Sequence, residues 1–296
     1  MTRRLPVTLI GGYLGAGKTT LVNHLLRHAE GRRLAILVNE FGDLPIDSDL
    51  IQARDGNLIS IAGGCICCSF GSDLVAALME IGSRADIDQI VIETSGVALP
   101  GSVVQAMALL PGLDIDGVVV VADAETIEER SRDRYMGDTV LRQLADADLV
   151  LLNKIDLVTD ERARALVSWL ETRWPHARIL PVQHGRLPVE VALGLHTGRR
   201  GARGSARPHD ASRYVSFSIE PTETSDLAEL VRQLSDPHLG ILRAKGFVRD
   251  RTGNVQTLQI VGSRIDLLPA PSDGKSGIVF IGLSDRLDEA AISSIV

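Results

Sequence analysis

The sequence predicts an α/β protein, with a doubly wound domain on a mostly parallel sheet and then a smaller α+β domain. Three observations carry this. Short, continuous apolar runs recur through residues 1–183, without the alternation of half-exposed strands. Helix-patterned segments separate those runs, which is the rhythm of a doubly wound domain. From His184 to Asp210 the texture turns rich in Gly, Arg, Pro and His, and strand-like runs resume after it. The expected organisation is therefore a first domain over 1–183, a flexible Gly/Arg-rich linker over 184–212, and a second domain over 213–296.

In order, the buried strands are Val7 to Ile10, Leu34 to Val38, Ile90 to Glu93, Gly117 to Asp123 and Asp148 to Asn153. Helices are predicted for Lys18 to about His28, Ser69 to about Ser83, Gly101 to Leu110, Asp138 to Ala145 and Asp160 to Arg173. Within the linker only a short turn near Val189 to Leu195 is expected, and His184, His196 and His209 are too scattered to read as a metal trap. The second domain reads as a strand from Tyr214 to Ile219 and a helix from Thr224 to Leu234. Strands near Ile241 to Arg249, Asn254 to Ile260 and Gly277 to Gly282 come next, then a terminal helix from Asp285.

A 296-residue chain that is 45% hydrophobic has ample apolar material for such cores. Its net charge of −7 argues against a general affinity for nucleic acid or anionic lipid. No apolar run approaches the roughly 18–20 residues that a membrane span needs. Arg3 and Arg4 before Leu5 to Ile10 resemble the start of a signal peptide, but that run enters a glycine-rich loop and reads better as a first buried strand. The expected location is cytoplasmic, where clustered cysteines bind metal or do chemistry more often than they form disulfides.

"GGYLGAGKTT" contains Gly12-x-x-x-x-Gly17-Lys18-Thr19, a complete Walker A pattern after a buried strand and before an amphipathic helix. The glycines let backbone N–H groups turn toward phosphate oxygens. Lys18 supplies charge to the β- and γ-phosphates, and Thr19 supplies a hydroxyl to Mg²⁺. In "NKID", Asp156 at a strand end can accept from the N1–H and the exocyclic amine of guanine, a donor pair that adenine lacks. Asn153 is expected to reach the far edge of the base, and the Lys154 stem to lie over the ring. Glu93, ending "IVIE", falls where an acidic group holds Mg²⁺ or its water, and the Gly96 N–H can meet the γ-phosphate. No glutamine or arginine finger announces itself, so slow intrinsic hydrolysis is expected.

All three cysteines, Cys65, Cys67 and Cys68, fall in "GGCICCS". Three thiols within four residues cannot form a useful set of disulfides, whereas thiolates suit Zn²⁺, Cu⁺ or Co²⁺. Gly63 and Gly64 give the loop freedom to curl around one ion. Three thiolates leave one tetrahedral position open, as suits a site that must release its metal. A redox thiol and buried small apolar residues are the competing readings. The position of the cluster, between the Walker A helix and the Glu93 strand where a switch loop lies, decides against both.

Walker A, "NEFGD" (Asn39 to Asp43), "GGCICC", "ETSG", "NKID", "ILRAKGF" (Ile241 to Phe247) and "VFIG" (Val279 to Gly282) occur in this order over nearly the whole chain. In these motifs the chain resembles the CobW-type family of P-loop GTPase metallochaperones, relatives of the urease and hydrogenase nickel-insertion GTPases. The resemblance implies a P-loop GTPase domain, a CobW-type C-terminal domain, and GTP-dependent binding and delivery of a transition metal, Zn²⁺ or Co²⁺. It maps the phosphate loop onto Gly12 to Thr20, including Gly15, Ala16, Gly17, Lys18, Thr19 and Thr20. It maps the guanine site onto Asn153, Lys154 and Asp156, the Mg²⁺ region onto Thr19 and Glu93, and the cargo-metal motif onto Cys65, Cys67 and Cys68. Glu40 lies in the switch region, a candidate for Mg²⁺, for the cargo metal or, with Lys18 and Glu93, for the hydrolytic step.

The implied partners are a client metalloprotein or cofactor-biosynthesis enzyme and, dependent on metal or nucleotide, a second copy of the chain. An alternative is an activator or assembly factor for one metalloenzyme, similar to nitrile hydratase activators, acting mainly by protein contact. A small-substrate kinase is a weaker third reading, since nothing resembles a substrate lid. Two departures from the family pattern stand out. Ser95 replaces a frequent threonine and keeps its hydroxyl, and the linker lacks the dense histidine tract of many members.

Overall fold

The apolar runs of the first half become adjacent parallel strands. In the computed structural model, which describes residues 4–29, 31–38, 72–195, 213–221, 226–270 and 277–296, these are β1 (Leu5–Gly11), β2 (Leu34–Val38), β3 (Gln89–Glu93), β4 (Leu113–Asp123), β5 (Leu149–Asn153) and β6 (Arg178–Pro181). Their order is β2-β3-β1-β4-β5-β6, and every neighbouring pair runs parallel. β2, β3 and β5 are buried at every position, which is why their sequences are unbroken apolar runs rather than alternating ones. Leu9, Ile92, Val120 and Leu152 belong to the core that the helices cover.

Those helices are α1 (Lys18–Arg27), α2 (Ser72–Gly82), α3 (Pro100–Met107), α4 (Ile127–Ser131), α5 (Gly137–Ala145) and α6 (Asp160–Arg173). Thr159 starts α6 by accepting the Arg162 N–H, and Asp160 and Glu161 sit favourably in its first turn. β6 and α4 escape sequence reading because each is too short to show a period: four residues in one case and five in the other.

The chain divides into two units, 2–189 and 190–296. Residues 184–195, read from sequence as the start of a flexible linker, are in fact packed. Leu187, Val189, Val191, Ala192 and Leu193 are all buried, and α7 spans Val189–Leu193. The surrounding Gly, Arg and Pro residues disguise an apolar segment, "LPVEVAL". Residues 196–212, the rest of that linker, lie outside the described residues.

In the second unit β7 (Tyr214–Ile219), β8 (Ile241–Arg249), β9 (Val255–Val261), β10 (Arg264–Pro269) and β11 (Gly277–Leu283) form an antiparallel sheet in the order β10-β9-β8-β11-β7. β10 was not expected from sequence. It is an edge strand with no fully buried position, so "RIDLLP" carries no clean alternation. α8 (Leu227–Leu234) and α9 (Glu289–Ile295) contribute Leu230, Leu234 and Ile292 to a core centred on Phe280, which stacks on Phe217 with ring centroids 5.3 Å apart. Both helices start later than the sequence suggests, each behind an aspartate, Asp226 and Asp288, whose side chain accepts first-turn N–H groups. Arg243 of β8 is fully buried, and its guanidinium donates to the Val191 carbonyl at 2.9 Å and the Ala192 carbonyl at 2.6 Å. It thereby satisfies carbonyls at the end of α7. Among the described residues no helix is long and apolar enough to cross a membrane.

Phe280→Ala removes the largest apolar side chain of the second core. It is expected to destabilise that unit by about 3–5 kcal/mol, read as a lower urea midpoint for the full chain.

Candidate nucleotide-binding site

Because the first sheet is parallel, the carboxyl ends of β1, β3, β4 and β5 open at one edge, where ligands of such sheets bind. Register fixes which residues meet there: Ile10 pairs with Glu93, Gly11 with Val120, Asp123 with Asn153, and Val38 with Glu93. The loop leaving β1 needs unusual backbone. Gly12, Gly15 and Gly17 have φ of 129°, 76° and 105°, a region that L side chains rarely adopt. Two of the three are also pressed closely. A Cβ at Gly12 would lie 2.2 Å from the Val121 carbonyl oxygen, and one at Gly17 would lie 2.4 Å from Asn153 Nδ2. α1 follows directly, with no side-chain cap and no acidic residue in its first turn. Its leading N–H groups and positive dipole end are thus left to an anion.

Around this loop the structure brings most of the expected residues together. Lys18 is buried to 8% exposure, and its ammonium donates to the Tyr13 carbonyl at 3.3 Å, folding back over the loop. The Thr19 hydroxyl donates to Glu93 Oε1 at 2.8 Å. A hydroxyl and a carboxylate at that separation form a hard-oxygen donor pair of the kind Mg²⁺ takes. Ser95 is 7% exposed, and its buried hydroxyl has no hydrogen-bond partner among the described residues. An orphaned buried hydroxyl beside a phosphate-type loop fits a polar ligand that completes it. A Cβ at Gly96 would fall 2.5 Å from Leu14, so the loop after β3 packs directly on the phosphate loop.

The base side is built differently from the expectation. Asn153, 2% exposed, was expected to reach the base. Instead its Nδ2 donates to the Ala16 carbonyl at 2.9 Å, and its Oδ1 accepts the Gly185 N–H at 2.9 Å. Asn153 therefore clamps the phosphate loop to the loop after β6. Lys154 adopts a left-handed conformation, φ 63°, and its ammonium is held by Asp123 Oδ2 at 2.6 Å. Asp156 sits in a short 3-10 turn, with His184 Nε2 4.0 Å from its Oδ2. Among the described residues Lys154 and His184 are the non-glycine residues with positive φ, and both flank Asp156. His24 of α1 anchors the same loop, its Nε2 lying 2.8 Å from the Leu187 carbonyl oxygen.

Sequence reading missed Asp123, Gln143, His184 and Gly185. Asp123 looked like the polar end of a strand, and Gly185 like linker. No local motif marks them, although an acid ending the strand next to "NKID" was an available signal. Glu40, Cys65, Cys67 and Cys68 lie outside the described residues. Among the described residues no group of three or more His, Cys, Asp or Glu is placed to hold a metal.

A glycine loop opening a helix, an acid on the adjacent strand and a guanine-type tetrapeptide two strands away, all along one parallel edge, define a P-loop GTPase. The family model for the CobW/HypB/UreG nucleotide-binding domain matches residues 6–181, and that for the cobalamin synthesis protein cobW C-terminal domain matches residues 214–296. The chain belongs to this family. It is similar to a zinc chaperone CobW of Pseudomonas aeruginosa, 33% identical over 98% of this chain and 90% of that one. A zinc chaperone CobW of a Sinorhizobium species is 31% identical over 99% of this chain and 96% of its own. The zinc chaperone YjiA of Escherichia coli is 30% identical over 79% and 73%.

Asn153→Ala leaves the Ala16 carbonyl and the Gly185 N–H without their partner. At roughly 1–3 kcal/mol for a buried group left unsatisfied, affinity for GDP and for a GTP analogue is expected to fall alike, by about 10- to 100-fold. Fluorescent-nucleotide titration measures it.

Proposed function

We propose that this protein is a GTP-dependent metallochaperone that takes a zinc ion in a nucleotide-dependent thiolate site and passes it to a client metalloprotein or cofactor-biosynthesis enzyme. One observation carries the reading. Val38, the last described residue before segment 39–71, is in register with Glu93, and Glu93 accepts the Thr19 hydroxyl of the phosphate loop. The strand end from which the chain enters the segment holding Glu40, Cys65, Cys67 and Cys68 is thus paired with the acid that contacts the phosphate loop. That supports a metal site whose affinity depends on what the phosphate loop holds. The zinc-chaperone names of the relatives support zinc as the cargo.

Each residue then has a defined task. Lys18 and the N–H groups of Gly15 to Thr20 bind the phosphates, and the Gly96 N–H meets the γ-phosphate. Thr19 and Glu93 would hold Mg²⁺, which would supply positive charge to offset the negative charge that builds on the phosphates. Asp156 pairs with the guanine edge, the Lys154 stem lies along the base while Asp123 fixes its ammonium, and Asn153 keeps the two loops in place. Water attacks the γ-phosphorus and the bond to the β–γ bridging oxygen breaks, yielding GDP and phosphate. Glu40, in the "NEFG" motif, is the candidate for orienting that water. Loss of the γ-phosphate then lowers the affinity of the thiolate site, and the zinc ion passes to the client.

The metal reading is tested by chelator competition for Zn²⁺ with a non-hydrolysable GTP analogue and with GDP. Tighter binding in the analogue state by about 5- to 150-fold is expected, the range of typical coupling free energies, and it should vanish in the Cys65→Ser/Cys67→Ser/Cys68→Ser variant. Equal affinities in the two states sink the coupling. A separate substitution checks the base site. Asp156→Asn replaces one acceptor by a donor and so matches the O2 and N1–H of xanthine rather than the two donors of guanine. Its expected signature is weaker GTP binding and hydrolysis with a gain for xanthosine triphosphate.

A further inference from the structure

Gln143 lies on α5, outside every nucleotide motif, and is 1% exposed. Its amide nitrogen donates to the Gly96 carbonyl at 3.1 Å and to the Ala98 carbonyl at 2.8 Å. Three residues further on, Asp146 Oδ2 accepts the Gly101 N–H at 2.7 Å. α5 and the residue that ends it thus hold the stretch from Gly96 to the first turn of α3 at three backbone atoms.

The geometry of that segment explains what the contacts do. The Ala98 N–H donates to the Ser95 carbonyl at 3.1 Å, closing a turn. In a trans peptide the N–H points opposite to the carbonyl. With the Ser95 carbonyl held into the turn, the Gly96 N–H is turned outward. The next peptide, through the Gly96 carbonyl, and the one after Ala98 are both fixed by Gln143. A neutral primary amide is suited to this: it offers two N–H donors to two carbonyls without bringing a charge into the interior. Asp146 serves the start of α3, where Leu99 provides no side-chain cap and Pro100 has no N–H. A Cβ at Gly101 would stand 2.7 Å from either carboxylate oxygen, so the contact requires glycine there.

We propose that Gln143, supported by Asp146, is a positioning residue for γ-phosphate recognition: it braces the Ser95–Ala98 turn so that the Gly96 N–H is presented to the γ-phosphate. Discrimination between GTP and GDP then depends on α5. The proposal rests on the reading of the Gly96 N–H given above and adds the residue that aims it.

The test compares the full chain with Gln143→Met, which keeps length and approximate volume but has no donor, and with Asp146→Ala as the second variant. Affinities for GDP and for the non-hydrolysable analogue GppNHp are measured along with kcat and KM for GTP hydrolysis. For Gln143→Met, GDP affinity is expected within about twofold of the unmodified chain. GppNHp affinity is expected to fall about tenfold, the size of one to two lost buried hydrogen bonds, with a parallel fall in kcat. Asp146→Ala is expected to move the same ratio in the same direction, less far. A merely structural role would weaken both nucleotides together and leave the GppNHp-to-GDP ratio unchanged. An unchanged ratio and kcat in both variants overturns the brace. If the unmodified chain itself responds to neither the γ-phosphate nor its hydrolysis, the Gly96 reading falls first and the proposal with it.

Discussion

The register of β1 between β3 and β4 is the constraint from which the nucleotide site follows. Ile10 opposite Glu93 and Gly11 opposite Val120 bring the phosphate loop and the acid of β3 to one edge with no further device. The tight fit of Gly12 against the Val121 carbonyl comes from the same register, since the loop must leave β1 across the backbone of β4. A slip of one residue would turn Glu93 to the other face of the sheet and separate it from Thr19. The apolar faces of β1 and β3 resist that slip, because Leu9 and Ile92 would leave the core along with it.

Upon that frame sits a layer of buried and part-buried polar side chains whose partners are mostly backbone. Asn153 joins the phosphate loop to the loop after β6, Gln143 holds the turn after β3, and Asp146 caps α3. Each satisfies backbone groups that would otherwise be buried without a partner, and a missing partner costs more than the net worth of the bond. These contacts therefore set loop conformation rather than merely add stability. They also explain how short loops with several glycines hold one shape before a ligand arrives. The Ser95 hydroxyl, which lacks a partner among the described residues, stands out against this background at the place where a ligand's oxygens would come.

Much of this was legible in the sequence, and the pattern of what was not is physical. The strand 34–38 and the helix 160–173 were read to the residue, because continuous burial or a strong cap leaves a local mark, and the strand 214–219 because "VSFSI" alternates apolar and polar residues. β10, with no buried position, leaves none, and neither do β6 and α4, too short to show a period. The segment 184–195 was misread because its composition resembles a linker while its apolar residues are packed. Asn153 was recognised as part of the guanine motif, yet its amide turned out to be engaged by Ala16 and Gly185. A motif states which residues assemble, but not which of their atoms remain available.

By itself the sequence determined the fold class, the Walker A loop, the guanine tetrapeptide and the gathering of all the thiols at 65–68, because each is a local pattern dictated by backbone conformation or ligand chemistry. Only the tertiary structure decided that Asp123 restrains Lys154, that Gly185 completes the Asn153 clamp and that Gln143 braces the turn at Gly96. Those contacts join residues 31, 32 and 47 positions apart. No local propensity encodes such a pairing. It exists because a parallel sheet returns distant strand ends to one edge, where buried amides and carboxylates must find partners.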